Sequence, residues 1–349
     1  MKAAIVTLVG DFNYGNRLQN YALQEVLTEM GVDVSTIDNP SQSCIRWAKE
    51  HFVERVNGRK KLKSIGDLRR EKNLRDFTKQ YIHMVGADVT SNDFDYFVVG
   101  SDQVWNPSFW GADTEGYSAK RYLLKNVESS KRVAYAASFG VEELNDFWNP
   151  VFKKELSEFR AISVREESGV AIVEKACGKT AEIVLDPTLV LPKGRWNQMA
   201  ADVQEDDYVL SFFLGEIAQQ KQEYIKRISR DHGYRIIDMN DKSSQYYCGR
   251  PEVLLGLIKK AKLVVTDSFH ATVFSIVFHT PFLSLTREQR NYCKMSSRLE
   301  TLLRMVDMTD RFNNMNIDDP FVCTFENVDF LIEKKRETSL LFLKDALRI

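Results

Sequence analysis

The run VVTDSFHATVFSIVFHTPFLSL, residues 264–285, places Ser268 and His270 where an apolar, strand-length stretch gives way to helical spacing. A histidine titrates near neutral pH, so at such a turn it carries a proton or holds an anion; otherwise it is a packed core side chain. Arg165 closes the short apolar run ISV and is followed by Glu166 and Glu167. A guanidinium at a strand end grips a carboxylate or phosphate through paired hydrogen bonds, or else neutralises a neighbouring glutamate. Asp102 and Gln103 come directly after the apolar run of FDYFVVGS. A carboxylate there either caps the next helix or accepts the proton of a substrate hydroxyl. Trp105 offers a face to a sugar ring or fills the core. A cationic cluster, Arg287, Arg290, Lys294 and Arg298, follows the last of these apolar runs and is otherwise a solvated face. The remaining histidines, His51, His83, His232 and His279, sit in surroundings that suit structural or surface roles.

Three glycine-containing turns, GDFNYGN at 10–16, GSDQVWNP at 100–107 and ASFG at 137–140, follow strand-length runs. Their backbone amides, with those of the next helix, can hold an anion, or the glycines simply permit tight turns. None spells GxGxxG or GxxxxGK[ST], which argues against a dinucleotide or P-loop site.

The elements that must position these residues alternate in type. Lys2–Val9 reads as a buried strand, and Leu18, Ala22, Val26 and Met30 recur at helical spacing until Gly31. Further strand-length runs are FDYFVVG, RVAYAASFG, AISVRE and AEIVLDP; after a change of composition over 191–207 come YVLSFFLG, YRIIDMN, KLVVTDS and PFLSL. Runs without strict alternation suit parallel strands covered on both faces. The sequence therefore predicts an α/β protein with an N-terminal domain over 1–192, a C-terminal domain over 205–324 and a helical tail over 325–349 that packs back across the first domain. A charged, helical insertion is expected over about 42–79. Two open sheets side by side leave an interdomain cleft at the carboxyl ends of their strands, where polar residues converge.

At 349 residues, 44% of them hydrophobic, the chain is long enough for two substantial cores. Its 48 Lys and Arg balance 49 Asp and Glu, so no global field favours nucleic acid, and an anion must be met locally. Cys44, Cys177, Cys248, Cys293 and Cys323 form no CxxC pair and read as free thiols of a reducing compartment. The first residues lack a signal-peptide core, and no apolar run reaches about 18 residues. These features predict a cytoplasmic chain. No acidic cluster has metal-ligand spacing, so neither a metal nor a resident cofactor is expected.

Taken in order, GDFNYGNRLQNYAL, DYFVVGSDQVWNP, VAYAASFG, ISVREESGV, VLDPTLV, VVTDSFHATVFSIVFHTPF and SSRLETLL resemble the polysaccharide pyruvyltransferase family over almost all of the chain to about Met308. The resemblance implies two Rossmann-like domains like the GT-B glycosyltransferase fold, an acceptor side in the first and a donor side in the second. It implies transfer of the enolpyruvyl carbons of phosphoenolpyruvate, a co-substrate, to two hydroxyls of a sugar, giving a pyruvate ketal for a cell-surface polysaccharide such as an exopolysaccharide or capsule. Similar enzymes engage the donor through residues matching Arg165 and His270. Many members carry Arg-Leu-His where this chain has Ser268-Phe269-His270, so one guanidinium of the pattern is absent. Arg287 or Arg290 is then expected to supply it beside Ser268. His270 is the expected acid or phosphate ligand and Asp102 the base, with Asp11, Asn16, Gln103 and Trp105 on the acceptor. The acceptor would be a lipid- or nucleotide-linked sugar, the former bringing the chain to the inner face of the membrane. A nucleotide-sugar glycosyltransferase and a non-catalytic sugar-binding protein of a polysaccharide pathway are the rival readings.

Overall fold

The computed structural model describes residues 1–11, 13–39, 63–287 and 297–349. Two parallel sheets organise it. The first runs β3-β2-β1-β4-β5-β6-β7, from β1 (Lys2–Val6), β2 (Asp33–Ile37), β3 (Met84–Val85), β4 (Tyr96–Val99), β5 (Arg132–Ala137), β6 (Ala161–Val164) and β7 (Glu182–Ile183). The second runs β11-β10-β8-β9, from β8 (Tyr208–Phe212), β9 (Arg235–Asp238), β10 (Leu263–Thr266) and β11 (Phe282–Ser284). The central strands are buried almost throughout, as strands covered on both faces must be.

Chain order reverses between β1 and β4 in the first sheet and between β10 and β8 in the second. At such a point the helices following adjacent strands leave to opposite faces, which opens a crevice beyond the strand ends. The loops after β1, β4, β8 and β10 therefore face one another.

The Tyr14–Glu29 helix, which follows β1, is buried on nearly every side, so its polar side chains need internal partners. Gln19 Nε2 donates to Thr7 Oγ1 at 2.9 Å and Gln19 Oε1 accepts from Ser101 N at 3.1 Å; Asn20 Oδ1 accepts from Thr36 Oγ1 at 2.8 Å. The helix closes at Gly31, whose φ of 83° only glycine adopts without steric cost. One apolar cluster runs from Ala3 and Ile5 of the first sheet through this helix and Trp196 to Leu210 and Val264 of the second, so the two units share a core. Two further clusters cover the outer faces.

Helices from each end of the chain tie the units together. The Ile65–Tyr81 helix, capped by Ser64 and Asp67, reaches the second unit through Asp67, which accepts from Tyr247 Oη and from Lys242 Nζ at 3.0 Å. The rest of the expected insertion, 42–62, lies outside the described residues. The Val328–Leu347 helix packs on the first sheet: Ser339 Oγ accepts from Leu185 N at 3.0 Å, and Arg160 Nε donates to Ala346 O at 2.9 Å. No helix among the described residues is long and apolar enough to cross a membrane. Cys177, Cys248 and Cys323 are free thiols; Cys44 and Cys293 lie outside the described residues.

Candidate active site

Leu8, Asn13 and Asn16 from the loop and helix after β1, Asp102 and Gln103 after β4, Phe213 and Leu214 after β8, and Ser268, Phe269 and His270 after β10 line one cavity of about 370 Å³. Arg70, Arg287 and Arg298 complete its cationic lining. Both reversal points thus open on the same space, and the site is built jointly by the two units.

Ser268 caps the Phe269–Phe278 helix, its Oγ accepting from Ala271 N at 3.4 Å, and its own amide donates to Thr266 Oγ1 at 2.9 Å. These bonds fix the backbone that carries His270. The His270 ring crosses to the first unit and lies against the N-terminus of the Tyr14–Glu29 helix. A β-carbon on Gly15 would stand 2.1 Å from its Nδ1, so the close approach requires glycine. His270 Nε2 lies 3.8 Å from Asp186 Oδ2 and has no hydrogen-bond partner among the described residues. Burial pulls its pKa below the ordinary value, with Asp186 and Asp102 opposing, so the ring is neutral at pH 7.

Behind the cavity lies a charged group that is nearly dry. Arg165 is 3% exposed; its Nη1 donates to Asp186 Oδ2 at 2.6 Å, its Nη2 to Asp102 Oδ1 at 3.2 Å, and its guanidinium stacks 4.2 Å from the centre of the Phe269 ring. Asp186 also accepts from Ser101 Oγ at 2.9 Å and from Thr188 N and Oγ1. Burial raises the Asp186 carboxyl, but Arg165 and its hydrogen bonds outweigh it and bring the pKa down to about 2. Asp102 follows the same logic: burial pushes up, Arg165, His270 and Arg298 pull down, and the net direction is down. Its backbone is left-handed, with φ at 68°, a conformation aspartate tolerates better than most residues, and its Oδ1 also accepts from Gln103 N at 2.9 Å.

Amides of two of the expected turns, 10–16 and 137–140, and of a further turn after β8 are taken by side chains. Asn13 Oδ1 accepts from Gly15 N and Asn16 N, and Glu166 Oε1 accepts from Phe139 N at 2.8 Å and Gly140 N at 3.3 Å. Asp267 accepts from Leu214 N at 2.6 Å and Gly215 N at 3.0 Å. Side chains thus occupy these amides, the neutral Asn13 in the first turn and the carboxylates of Glu166 and Asp267 in the other two, and charge recognition in the cavity passes to guanidinium and imidazole groups.

Of the expected site residues, His270, Ser268, Asp102, Gln103, Asn16 and Arg287 line the cavity together. Arg287 Nε donates to Asp267 Oδ2 at 3.0 Å. Arg290 lies outside the described residues. Arg165 is behind the wall, and Asp11 is turned away to Arg75 Nη1 at 3.3 Å. Trp105 is a correction: it is fully buried in the first unit's outer cluster, edge-on to Phe159, with Nε1 donating to Tyr122 O at 2.9 Å, and presents no face to a sugar. Sequence reasoning passed over Asp186, although VLDPTLV was singled out, and over Arg70, which reaches the cavity from a helix 54 residues beyond the loop it faces (Arg70 against Asn16).

The profile of polysaccharide pyruvyl transferases matches residues 13–289. The chain belongs to that family. A search of curated proteins finds no match. Among solved structures, UDP-N-acetylglucosamine 2-epimerase from Rickettsia bellii superposes with a TM-score of 0.50 at 8% identity, covering 100% of this chain and 97% of that one. The UDP-GlcNAc 2-epimerase from Neisseria meningitidis, solved with UDP-GlcNAc, gives 0.42 at 12% identity, covering 98% and 100%. An α-glucosyltransferase in complex with UDP gives 0.46 at 10% identity, covering 99% and 96%. The fold of this family member is thus the expected one, two Rossmann-like units around a cleft, resembling GT-B enzymes.

Proposed function

We propose that the protein is a transferase that moves the pyruvyl group of phosphoenolpyruvate onto two hydroxyls of a sugar, forming a pyruvate ketal in cell-surface polysaccharide biosynthesis. The observation that carries this reading is the cavity at the two reversal points, where a neutral His270, its Nε2 unpartnered among the described residues, stands with ionised Asp102 among arginines, within a chain of this family. A small, multiply charged anion suits such a lining. The donor's negative charge raises the pKa of His270 and gives it the proton that the apo site denies it.

The chemistry then runs as follows. A proton adds to the methylene carbon, making the methyl group and leaving an oxocarbenium-like carbon. One sugar hydroxyl adds there and gives up its proton; the carbon–oxygen bond to phosphate breaks, inorganic phosphate leaving with the electron pair. The second hydroxyl closes the ketal and releases its proton. His270 supplies the first proton or meets the departing phosphate, and Asp102, ionised at neutral pH, accepts a hydrogen bond from the attacking hydroxyl. Asn16 Oδ1, buried and unpartnered among the described residues, orients the acceptor with Gln103. Arg165, with both its Nη groups on carboxylates, keeps Asp102 and Asp186 charged rather than gripping the donor through them.

The test is phosphate release from phosphoenolpyruvate in the presence of lipid- or nucleotide-linked sugars. His270→Ala should lower the rate by about two to four orders of magnitude, the usual loss with acid–base assistance. His270→Gln should retain donor affinity better than alanine while remaining inactive. Release of nucleotide from a nucleotide sugar, with phosphoenolpyruvate untouched, would overturn the reading.

A further inference from the structure

We propose that Arg298 is the guanidinium that contacts the substrate's anionic group in the cleft, in place of the cation missing at Ser268. The assignment deepens the pyruvyl-transfer reading and rests on it only for the identity of the anion. Arg298 lies beyond the residues the family profile matches, on the Ser297–Met305 helix.

Charge accounting singles it out from Arg165 and Arg287. Arg165 sits between two carboxylates at 2.6 and 3.2 Å and does not line the cavity. Arg287 lines it but is paired with Asp267 at 3.0 Å. Arg298 also lines it, is 7% exposed, and its nearest carboxylate among the described residues, Asp102, is 4.0 Å away and already holds Arg165. Its closest polar contact is neutral: with the Gln103 amide oxygen turned toward it, Nη1 and Nη2 donate at 3.1 and 3.2 Å. Its Nε is buried without a partner among the described residues. Burial, reinforced by Arg165 nearby, brings its pKa down to about 10, still charged at pH 7. A nearly buried cation held by a neutral amide is a costly arrangement unless an anion completes it.

The mount is firm. The helix carrying Arg298 belongs to the second half of the chain but rests on the first unit's Glu167–Cys177 helix, where Arg304 Nη1 meets Glu167 Oε2 at 2.5 Å and Thr301 Oγ1 accepts from Glu167 N at 3.4 Å. The Phe269 ring, whose neighbour is His270, lies under both guanidinium groups, with centre distances of 4.2 Å for Arg165 and 6.0 Å for Arg298. An anion reaching His270 therefore meets Arg298 at the same wall.

The experiment measures binding of phosphoenolpyruvate, inorganic phosphate and uridine diphosphate by calorimetry, and the unliganded melting temperature, for wild type, Arg298→Gln, Arg298→Lys and Arg304→Ala. Losing a charged hydrogen bond should weaken the anion's binding in Arg298→Gln roughly 10- to 150-fold. Arg298→Lys should fall between, because a point charge replaces a planar fork. The unliganded melting temperature of Arg298→Gln should equal or exceed that of wild type, since an uncompensated cation has been removed. Arg304→Ala removes a solvent-exposed charge from the same helix without touching the anion and should bind as wild type. Unchanged affinity in Arg298→Gln for every anion that wild type binds overturns the inference and leaves pyruvyl transfer standing. Arg298-dependent binding of uridine diphosphate alone supports Arg298 and removes the pyruvyl reading. Failure of wild type to bind any of the three overturns both.

Discussion

Gly15→Ala puts the contact between the two halves of the site under direct test. A β-carbon there would stand 2.1 Å from His270 Nδ1, 2.6 Å from Cγ and 2.8 Å from Cε1, whereas ordinary contact begins at 3.4 Å. The ring must therefore retreat by 3.4 − 2.1, or about 1.3 Å, at Nδ1, and Asp186, 3.8 Å from the far nitrogen, lies on its other side. Misplacement by about 1 Å costs on the order of 10²-fold in rate when a group acts in the transition state. Stability should change far less: overpacking costs about 1–3 kcal/mol, while replacing a helical glycine returns about 0.5–1 kcal/mol. Gly194→Ala is the matched control, because it sits in the Lys193–Met199 helix with nothing within 4 Å of the new carbon. The assay is phosphate release per folded molecule, with melting temperatures alongside. A Gly15→Ala enzyme within threefold of wild type, or one whose lost activity equals its lost folded fraction, would refute the idea that His270 must stand where this glycine lets it stand.

Other outcomes follow from the same geometry. Asp186→Asn removes the carboxylate that serves Arg165, Ser101 and Thr188 at once and should cost about 3–5 kcal/mol in urea unfolding, the usual effect of orphaning one member of a buried pair; a loss below 1 kcal/mol would contradict it. Trp105→Phe should lower the melting temperature and leave the acceptor KM unchanged, since the indole is core; a raised KM at unchanged stability would restore a sugar contact. Stability should fall with acid in two stages. His270, Asp102 and Asp186 all have lowered pKa values in the folded chain, so the unfolded chain binds more protons and stability rises with pH. The His270 contribution is complete above its unfolded value, about 6.5, and is lost below it; those of the aspartates are complete above about 4 and are lost as pH falls through the lowered values. His270→Gln should flatten the slope just below pH 6.5 and leave the steeper acid limb in place.

Much of the scaffold was legible because burial on both faces leaves apolar runs that need no partner to be recognised. VVTDS and YVLSF announce β10 and β8 in this way, and the polar residues just past them were expected at a cleft. β2 is hidden from such a pattern: in DVSTI Thr36, next to last, reads as polar, yet it is buried because Asn20 accepts its hydroxyl proton. AEIVLDP has the pattern of a strand, but only Glu182–Ile183 pair, and Asp186 instead caps the short Pro187–Val190 helix. Residue type and strand-end position nominated His270, Asp102 and Arg165 from sequence alone, because those features are local. Which arginine faces the cavity is not local. Arg165, Arg287 and Arg298 carry the same group, and their difference lies in the carboxylates brought beside each: Asp102 and Asp186 reach Arg165 across 63 and 21 positions, Asp267 reaches Arg287 across 20, and Asp102 stands 4.0 Å from Arg298. Chain entropy keeps such neighbours apart until the shared core forms, so only the tertiary fold decides which charge is spent inside the protein and which is left for a substrate.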